Sequence, residues 1–242
     1  MRISRIYTEA ALQSGQTLAL DDKASHYLGK VLRQQVGDEL ILFNGDGGQY
    51  RSRISAIDKK RVSVEVGEAS SPVTESPLAI HLGIAMSRGD RMDWVLQKST
   101  ELGVTAITPL ITERTELKLK GERQDKKLAH WQQIIISACE QCGRNTLPVL
   151  HPPAMGSEWV SKASADRKLV LHHRSDRGLD RNAAVGSVAL YIGPEGGLSA
   201  DEIRAAEKQG FQALTLGPRV LRTETAPLAA IAVLQSTWGD FR

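Results

Sequence analysis

Two consecutive segments near the C-terminus decide the fold: VALYI-GPEGG-LSADEIRAAEKQG over 188–210 and ALTL-GPRVLRTETA-PLAAIAVLQ over 213–235. Each predicts a short buried strand, a loop that opens at Gly-Pro, and a helix. Loops that leave the carboxyl ends of neighbouring strands form the usual ligand crevice of an α/β sheet. Ser199 and Glu202 have the spacing of a capping box at the start of the first helix, and Gly210 ends it. The pair therefore predicts a ligand site built from two loops.

The residues upstream extend the same alternation. LAIHLGIAM (78–86), AITPLIT (106–112) and KLVLHH (168–173) read as buried strands, and the segments 92–102 and 125–142 have helical periodicity. Strands that alternate with helices predict a parallel α/β sheet. The C-terminal helix, 227–238, is apolar over most of its circumference and therefore needs burial on more than one side, which a partner subunit is one way to supply.

The first 72 residues have a different pattern. Short segments with a period of two, separated by turn signals at 44–48, predict a small β-barrel. One helix is expected from Asp22 to Leu32, with Ala24, Tyr27, Leu28 and Val31 on one face. A linker rich in Ser and Pro over 70–77 marks a boundary. We therefore expect two domains, 1–72 and 73–242.

Composition narrows the class of protein. The 242 residues are 41% hydrophobic and 24% charged, with a net charge of +3, which is ordinary for a globular protein. The apolar runs are too short for a membrane span, and no signal-peptide core follows the N-terminal arginines. Two cysteines and the missing export signal predict a cytoplasmic location. A mild positive charge permits a nucleic-acid partner without demanding one.

Several common sites are disfavoured by the motifs. The sequence lacks a P-loop, a G-x-G-x-x-G fingerprint and a G-x-S-x-G nucleophile elbow. Cys139 and Cys142 form a C-x-x-C pair inside a predicted helix, which we interpret as structural, and no acidic or Cys cluster supports His172-His173 as metal ligands. No metal is therefore expected. The GPEGG loop offers backbone N–H groups that suit an anion, and an adenosine-type ligand equally well.

The run Arg222-Thr223-Glu224-Thr225 stands between a predicted buried strand and a predicted buried helix. Charges in such surroundings are costly unless they are paired or used. A salt-bridging loop with Thr225 as the helix N-cap would explain the run structurally. We favour a functional role, because the run faces the same predicted crevice as GPEGG.

Four motifs carry a family resemblance: MSRGDRMDWVLQKSTELGV (86–104), ACEQCGR (138–144), IGPEGGLSADE (192–202) and LGPRVLRTETA (216–226). Together with the N-terminal RIY…HYLGKVLRQQVGD…LFNGDGGQY pattern they resemble the RsmE family, the 16S ribosomal RNA uridine-N3 methyltransferases of the SPOUT class. The resemblance covers essentially the whole chain.

The resemblance implies a SPOUT α/β domain with a deep trefoil knot, preceded by a PUA-like RNA-binding domain. It also implies a homodimer that acts on a uridine in the decoding region of the 30S subunit and binds S-adenosylmethionine in the knot. The implied cofactor-binding residues are Leu171, His172, Ile192, Gly193, Pro194, Glu195, Gly196, Gly197, Leu216, Gly217, Val220, Leu221, Arg222, Thr223, Thr225 and Ala226. The candidate RNA-binding residues are Arg2, Arg5, His26, Lys30, Arg33, Arg114 and Arg144.

Two side chains are candidates for the chemistry. Uridine N3 carries a proton, so methylation requires its removal or stabilisation of the charge that develops on the ring. Arg222 is the candidate to stabilise charge on a uracil carbonyl oxygen, and Glu224 is a weaker candidate for the general base. Pairing of Glu224 with Arg222 or with a backbone amide is the structural alternative. Arg114 and Arg144 are expected to contact either RNA phosphate or a partner subunit.

Three other functions stay open from sequence. SPOUT domains also include ribose 2′-O-methyltransferases, which modify the sugar and not the base. A non-catalytic RNA-binding assembly factor would bind RNA without the cofactor. A phosphate-binding hydrolase that uses GPEGG is weakened by the missing lysine and metal ligands, and the intact charged run at 222–225 argues against a pure scaffold.

Overall fold

The chain divides into two compact units. A computed structural model describes residues 3–59, 61–117, 119–172, 179 and 183–241. The first unit comprises Met1–Glu75 and Cys139–Leu147, and the second comprises Ser76–Ala138 and Pro148–Arg242. The predicted domain division, 1–72 and 73–242, stays a prediction. The first unit also includes Cys139–Leu147, a later segment that no linker signal in the sequence predicted.

The first unit is built on a five-stranded sheet among the described residues, in the order β1-β3-β4-β5-β2. The strands β1 and β3 pair in parallel, and the other neighbours pair antiparallel. Val62, Val64 and Val66 are all buried, which confirms the predicted alternation. Closure of the sheet into a barrel stays a prediction. The strands are β1 (Ser4–Tyr7), β2 (Thr17–Ala19), β3 (Glu39–Phe43), β4 (Gln49–Ile57) and β5 (Val62–Ser70).

The helix expected from Asp22 to Leu32 is present, but its buried face differs from the prediction. It consists of α1 (Asp22–His26), which continues as a π-helix, Tyr27–Val31. Leu28 is buried, whereas Tyr27 is 42% exposed and Val31 is 57% exposed. The Leu32 amide bonds to the Tyr27 carbonyl five residues earlier, at 2.9 Å. The wider π turn breaks the 3.6-residue period on which the predicted apolar face rested.

The second unit has a sheet in the order β12-β10-β11-β6-β7-β8, and β9 also pairs with β7. Every recorded pairing in it is parallel, which confirms the predicted α/β class. The strands are β6 (Ala79–Ala85), β7 (Ala106–Ile111), β8 (Val149–Leu150), β9 (Ala154–Met155), β10 (Arg167–Leu171), β11 (Ser187–Ile192) and β12 (Gln212–Leu214). The helices are α2 (Asp90–Glu101), α3 (Glu122–Cys142), α4 (Gly156–Lys162), α5 (Ala200–Lys208) and α6 (Ala226–Trp238).

The sheet of the second unit is covered on both faces. Along β11, Leu190 and Ile192 belong to a core shared with residues of α2, α3 and α6, such as Leu96, Trp131 and Leu234. Tyr191 belongs to the opposite core, which it shares with Trp159 and Phe211. Successive side chains of a strand point to opposite faces, so β11 is apolar almost without interruption, as is typical of a central parallel strand.

The C-terminal helix α6 is buried through Pro227, Ala230, Ile231, Leu234 and Gln235. Gln235 is the polar residue among these five, and its side chain has hydrogen-bond partners. It donates to the Leu102 carbonyl at 2.9 Å and accepts from the Ser76 hydroxyl at 2.7 Å. Thr225 occupies the N-cap position, as the structural alternative expected, but its side chain makes no capping hydrogen bond. Among the described residues, no helix is both long and apolar enough to cross a membrane.

A half-buried histidine, His81, links β6 to β7 and α4. The indole Nε1 of Trp159 donates to Nε2 of His81 at 3.3 Å, and the Thr108 hydroxyl lies 2.8 Å from the same atom. An indole is only a donor, so Nε2 is the acceptor of a neutral ring. Burial, followed by the charge of the neighbouring His151, lowers the pKa of His81 to about 4.

We therefore expect His81 to make stability depend on pH. The unfolded chain protonates this ring near 6.5 while the folded protein does so near 4, so the unfolded state binds more protons between these values. Stability should fall as the pH decreases from about 6.5 to about 4. Chemical denaturation at several pH values should show a shallower fall for His81→Asn than for the wild type. The exposed His26→Asn is the control, and an identical pH dependence in all three proteins would contradict the assignment.

Candidate active site

Three neighbouring strands end at one edge of the second unit's sheet. Because β10, β11 and β12 are parallel, Leu171, Ile192 and Leu214 close them on the same side, with Leu171 in register with Leu214. The His172 amide donates to the Leu214 carbonyl at 3.2 Å, and the Thr215 hydroxyl donates to the His172 carbonyl at 3.1 Å. The predicted residues Leu171, His172 and Ile192 therefore lie at the edge from which both glycine-containing loops depart, and Leu216 follows β12 by two residues.

The first loop, Gly193–Gly197, is shaped by glycine. The Gly197 amide donates to the Pro194 carbonyl at 2.8 Å, and Gly197 has a φ of +69°, a conformation that other residues rarely adopt. A Cβ atom on Gly193 would lie 2.8 Å from the backbone nitrogen of Leu198. Pro194 is buried, whereas Glu195 and Gly196 are exposed. The loop is thus a tight turn that presents its backbone at the sheet edge.

The predicted capping box at the end of this loop is confirmed. The Ser199 hydroxyl accepts from the Glu202 amide at 3.3 Å, and the Glu202 carboxylate accepts from the Ser199 amide at 2.9 Å. The same carboxylate also accepts from the Glu113 amide at 2.9 Å. Glu202 therefore starts α5 and joins the end of the first loop to the segment that follows β7.

The second loop runs over 215–225. Gly217 has a φ of +85°, and the Arg222 carbonyl accepts from the amides of Thr225 and Ala226, both at 2.9 Å. This turn leads directly into α6. The Arg222 side chain is exposed, so the prediction that the charge lies in buried surroundings is wrong. Val220 is 89% exposed, and Leu221, Thr223 and Ala226 are half-buried.

Two arginines hold the loops. Arg91, in the first turn of α2, donates to the Glu195 carboxylate at 2.9 Å and lies 4.0 Å from that of Glu224. Arg91 therefore has a partner in each loop. Arg114, predicted to contact RNA or a partner subunit, donates to the Gly196 carbonyl at 2.6 Å. The recorded ion-pair partner of Glu224 is thus Arg91 and not Arg222.

Two of the predicted RNA-binding arginines, Arg5 and Arg144, have hydrogen-bond partners within the first unit. Arg144 is 4% exposed and forms a bidentate pair with Glu75, in which Nε donates to Oε1 at 3.2 Å and Nη2 donates to Oε2 at 2.5 Å. Arg5 is half-buried and donates to Gln49 at 2.7 Å. Burial and pairing make Arg144 a structural residue of this unit, which contradicts a direct contact with RNA phosphate.

Three other predicted RNA-binding residues of the first unit are accessible. His26 is exposed on α1, Lys30 is exposed on the π-helix, and Arg33 is exposed two residues beyond the end of the π-helix. They flank the exposed Tyr27 and Val31, so cationic and apolar groups are interleaved on one short segment. Arg2 lies outside the described residues.

The C-x-x-C pair closes α3 as two thiols that no disulfide joins. Cys139 is buried against the Thr146 carbonyl, with Sγ at 3.9 Å, and burial raises its pKa to about 12. Such a thiol is unreactive near neutral pH. Within the described parts of the chain, no three His, Cys, Asp or Glu side chains are grouped as metal ligands. His173 lies outside the described residues.

Comparison with known proteins identifies the family. Residues 74–235 match the family model of an RNA methyltransferase domain, and residues 20–67 match that of an RNA methyltransferase PUA domain. The chain belongs to this RNA methyltransferase family. The resemblance seen in the four sequence motifs is thereby confirmed, as are the α/β class and the PUA-like nature of the first unit.

Relatives from bacteria match over the whole chain. The ribosomal RNA small subunit methyltransferase E of Buchnera aphidicola (subsp. Acyrthosiphon pisum) is 37% identical over 100% of this chain and 96% of its own. The solved structure of that enzyme from Neisseria gonorrhoeae, bound to S-adenosyl methionine, is 43% identical, with a TM-score of 0.93 over 100% of both chains. A methyltransferase-like structure from Legionella pneumophila, solved with the bound cofactor SAM, is 46% identical, with a TM-score of 0.95 over 100% of both chains.

Sequence reasoning missed the residues that position the RNA methyltransferase loops. Arg91 stands inside the 86–104 motif, but a single arginine in a helical pattern gives no indication of partners more than 100 residues away. The sequence pattern predicted the capping role of Glu202 but not its second contact, with the amide of the sequence-distant Glu113. Only the fold brings these partners to one edge.

We expect Arg91→Ala to loosen both loops without unfolding the protein. Arg91 is about half exposed, and ion pairs of that kind typically contribute roughly 0–1 kcal/mol to global stability. Amide hydrogen exchange at Gly197 and Thr225 should become several-fold faster while the melting temperature stays close to that of the wild type. Arg204→Ala is the matched control, because Arg204 pairs with Asp201 inside α5. Unchanged exchange at both amides would show that Arg91 does not hold the loops.

Proposed function

We propose that this protein transfers the methyl group of S-adenosylmethionine to N3 of a uridine in small-subunit (16S) ribosomal RNA, in the decoding region of the 30S particle. The observation that carries the proposal is the pair of glycine-shaped loops at one parallel sheet edge, in a chain whose residues 74–235 match an RNA methyltransferase domain. The small-subunit rRNA methyltransferases among its relatives, including one solved with S-adenosyl methionine, support the choice of substrate and cofactor.

The cofactor site proposed here is the edge formed by Ile192–Gly197 and Leu216–Ala226, with Leu171 and His172 beside it. Exposed glycine backbone at 196, 197 and 217 allows close approach of a ligand, because no Cβ shields the amides. Backbone groups of these loops would hold the adenine, and the half-buried Leu171, Leu216 and Leu221 would provide apolar contact. When bound, the cofactor supplies an electrophilic methyl group.

The residues of this chain have the task of orienting the uridine and of handling charge at N3. Loss of the N3 proton places negative charge on the ring and its carbonyl oxygens. Arg222 is exposed at this edge, and no ion pair is recorded for its guanidinium among the described residues, so it is available to stabilise that charge. Glu224 is held near Arg91, at 4.0 Å, which keeps its carboxylate close to the same edge as the proposed base.

RNA binding by the first unit is proposed to use the exposed segment around His26, Lys30 and Arg33, with Arg2 and Arg5 also candidates. Cationic side chains contact phosphates, and the exposed Tyr27 ring offers a surface on which an unpaired base can stack. Arg114 would contribute indirectly, because it holds the first loop through its hydrogen bond to the Gly196 carbonyl. The target uridine must be unpaired or flipped out of its stack in order to reach the sheet edge.

The finer features implied by the family resemblance remain proposals. We propose that the second unit contains the deep trefoil knot of SPOUT domains; the out-of-sequence strand order β12-β10-β11-β6 is compatible with such threading. We also propose a homodimer, since the apolar helix α6 leaves Val233 39% exposed. A cytoplasmic location follows from a ribosomal substrate.

The cofactor site can be tested with one pair of glycine variants. A Cβ on Gly193 would collide with the Leu198 nitrogen at 2.8 Å, whereas a Cβ on Gly186, at the opposite end of β11, would lie 3.4 Å from its nearest neighbour. We expect Gly193→Ala to weaken S-adenosylmethionine binding at least tenfold in calorimetric titration and Gly186→Ala to bind as the wild type does. Equal S-adenosylmethionine affinity in both variants would contradict a cofactor site at the first loop.

The electrostatic role of Arg222 predicts a kinetic signature. Removal of one donor that stabilises developing charge costs about 10²–10³-fold in kcat, so Arg222→Ala should lose that much while its cofactor affinity is retained. Arg222→Lys should recover part of the loss. Methyl transfer to 30S subunits from labelled S-adenosylmethionine measures the rate, with Arg219→Ala, an exposed arginine in the same loop, as the control. Full turnover by Arg222→Ala would exclude the role.

The product of that reaction decides between the alternative functions. N3-methyluridine in digested rRNA supports the proposal, whereas a 2′-O-methylated nucleotide would assign the chain to ribose methylation. RNA binding without cofactor binding or methyl transfer by the wild type would favour the assembly-factor alternative.

A further inference from the structure

A cavity lies at the carboxyl end of β6. We call it the Ser87 cavity; its volume is about 380 Å³, and its lining residues are Ser87, Gly89, Leu117, Leu119, Arg123, Lys126 and Lys127. The strand β6 lies directly beside β11, with Ile84 in register with Ile192. The Ser87 cavity therefore follows β6 at the same sheet edge at which the Gly193–Gly197 loop follows β11.

The hydroxyl of Ser87 is the unusual group of this cavity. Ser87 is 3% exposed, and its Oγ has no hydrogen-bond partner among the described residues. Buried hydroxyls are nearly always paired, because losing water without gaining a partner is unfavourable. Because Ser87 also lines the cavity, we take its unpaired hydroxyl as a donor for a ligand bound there.

The charge on one wall defines the chemistry of that ligand. Lys126 pairs with Glu122 at 2.7 Å, and Lys127 pairs with Asp93 at 3.1 Å. No ion pair is recorded for Arg123 within the described parts of the chain. The cavity lining thus includes three cations, two of which have carboxylate partners, and Arg123 is available to bind an anion. Guanidinium groups suit phosphate oxygens, which they contact through two parallel hydrogen bonds.

We propose that the Ser87 cavity binds a backbone phosphate of the RNA substrate, next to the nucleotide that is methylated. The inference rests on the proposed function, since it requires RNA at this sheet edge. Arg123 and Lys126 would contact phosphate oxygens, and the Ser87 hydroxyl would donate to one of them. Leu117 and Leu119 would pack against the adjoining sugar. Phosphate contacts fix the register of a bound strand, so this site would hold the target base in place.

The test uses fluorescence anisotropy with a labelled transcript of small-subunit rRNA. We expect Arg123→Ala and Lys126→Ala to weaken binding and to lower the slope of log Kd against log salt by about 1 each, as loss of one phosphate contact does. Lys162→Ala is the matched control, because Lys162 pairs with Glu158 four residues earlier, at 2.6 Å, as Lys126 pairs with Glu122. It should leave the affinity and the slope unchanged.

Ser87→Ala separates a ligand contact from a structural role. Removing an unpaired buried hydroxyl should leave the melting temperature unchanged or higher, yet it should weaken RNA binding about tenfold if the hydroxyl donates to phosphate. Calorimetric titration with S-adenosylmethionine should give the wild-type affinity for all three cavity variants.

Each outcome has a separate meaning. Wild-type RNA affinity in the cavity variants, beside a functional wild-type enzyme, overturns the phosphate site and leaves the proposed function standing. Loss of S-adenosylmethionine affinity in these variants would assign the cavity to the cofactor's carboxylate, which also overturns it. A wild-type protein that binds neither the transcript nor the cofactor would contradict the proposed function itself.

Discussion

The parallel pairing of the second unit's strands is the constraint on which the site depends. Parallel neighbours end at the same edge of a sheet, so the loops after β6, β11, β10 and β12 leave side by side although 85, 192, 171 and 214 are far apart in the chain. Long crossover connections are required to achieve this, and helices on both faces provide them. The apolar cores on the two faces therefore serve the site, because they fix the register of the strands that carry it.

A sheet edge alone does not hold glycine-containing loops in one conformation. Glycine gives the backbone access to turns such as that at Gly197, but it also leaves the unbound loop with more conformations to lose. Side chains from neighbouring elements restrain the loops. Arg91 contacts both loops, Arg114 donates to the first loop, and Glu202 joins that loop to the segment after β7. The exposed backbone needed for a ligand thus coexists with order that is imposed from outside the loops. This arrangement reduces the entropy that a ligand must remove on binding.

Local patterns in the sequence predicted local structure well. The alternation at Val62, Val64 and Val66 and the capping box at Ser199 and Glu202 depend on neighbours within a few residues, and the structure confirms both. The π-helix at Tyr27–Val31 was missed because the residue pattern is compatible with a regular α-helix, and the wider turn changes which side chains are buried. The environment of a charge was harder still to predict. Arg144 was expected to contact RNA phosphate or a partner subunit and is buried against Glu75. Arg222 was expected in buried surroundings and is exposed. Each environment depends on elements distant in sequence.

The surroundings of Arg91 and Arg222 suit different roles, since Arg91 is ion-paired and Arg222 is exposed with no ion pair recorded among the described residues. An arginine that is already paired with carboxylates is partly neutralised and is suited to a structural role, such as the link that Arg91 makes between the two loops. An arginine that is to stabilise charge formed during a reaction must keep its field uncompensated until that charge appears, since only interactions stronger in the transition state raise the rate. Exposure without a recorded partner is the condition in which Arg222 is found. Glu224, two residues from Arg222, has its recorded ion-pair contact with Arg91 at 4.0 Å and none with Arg222, so the charge of Arg222 stays available for the proposed reaction.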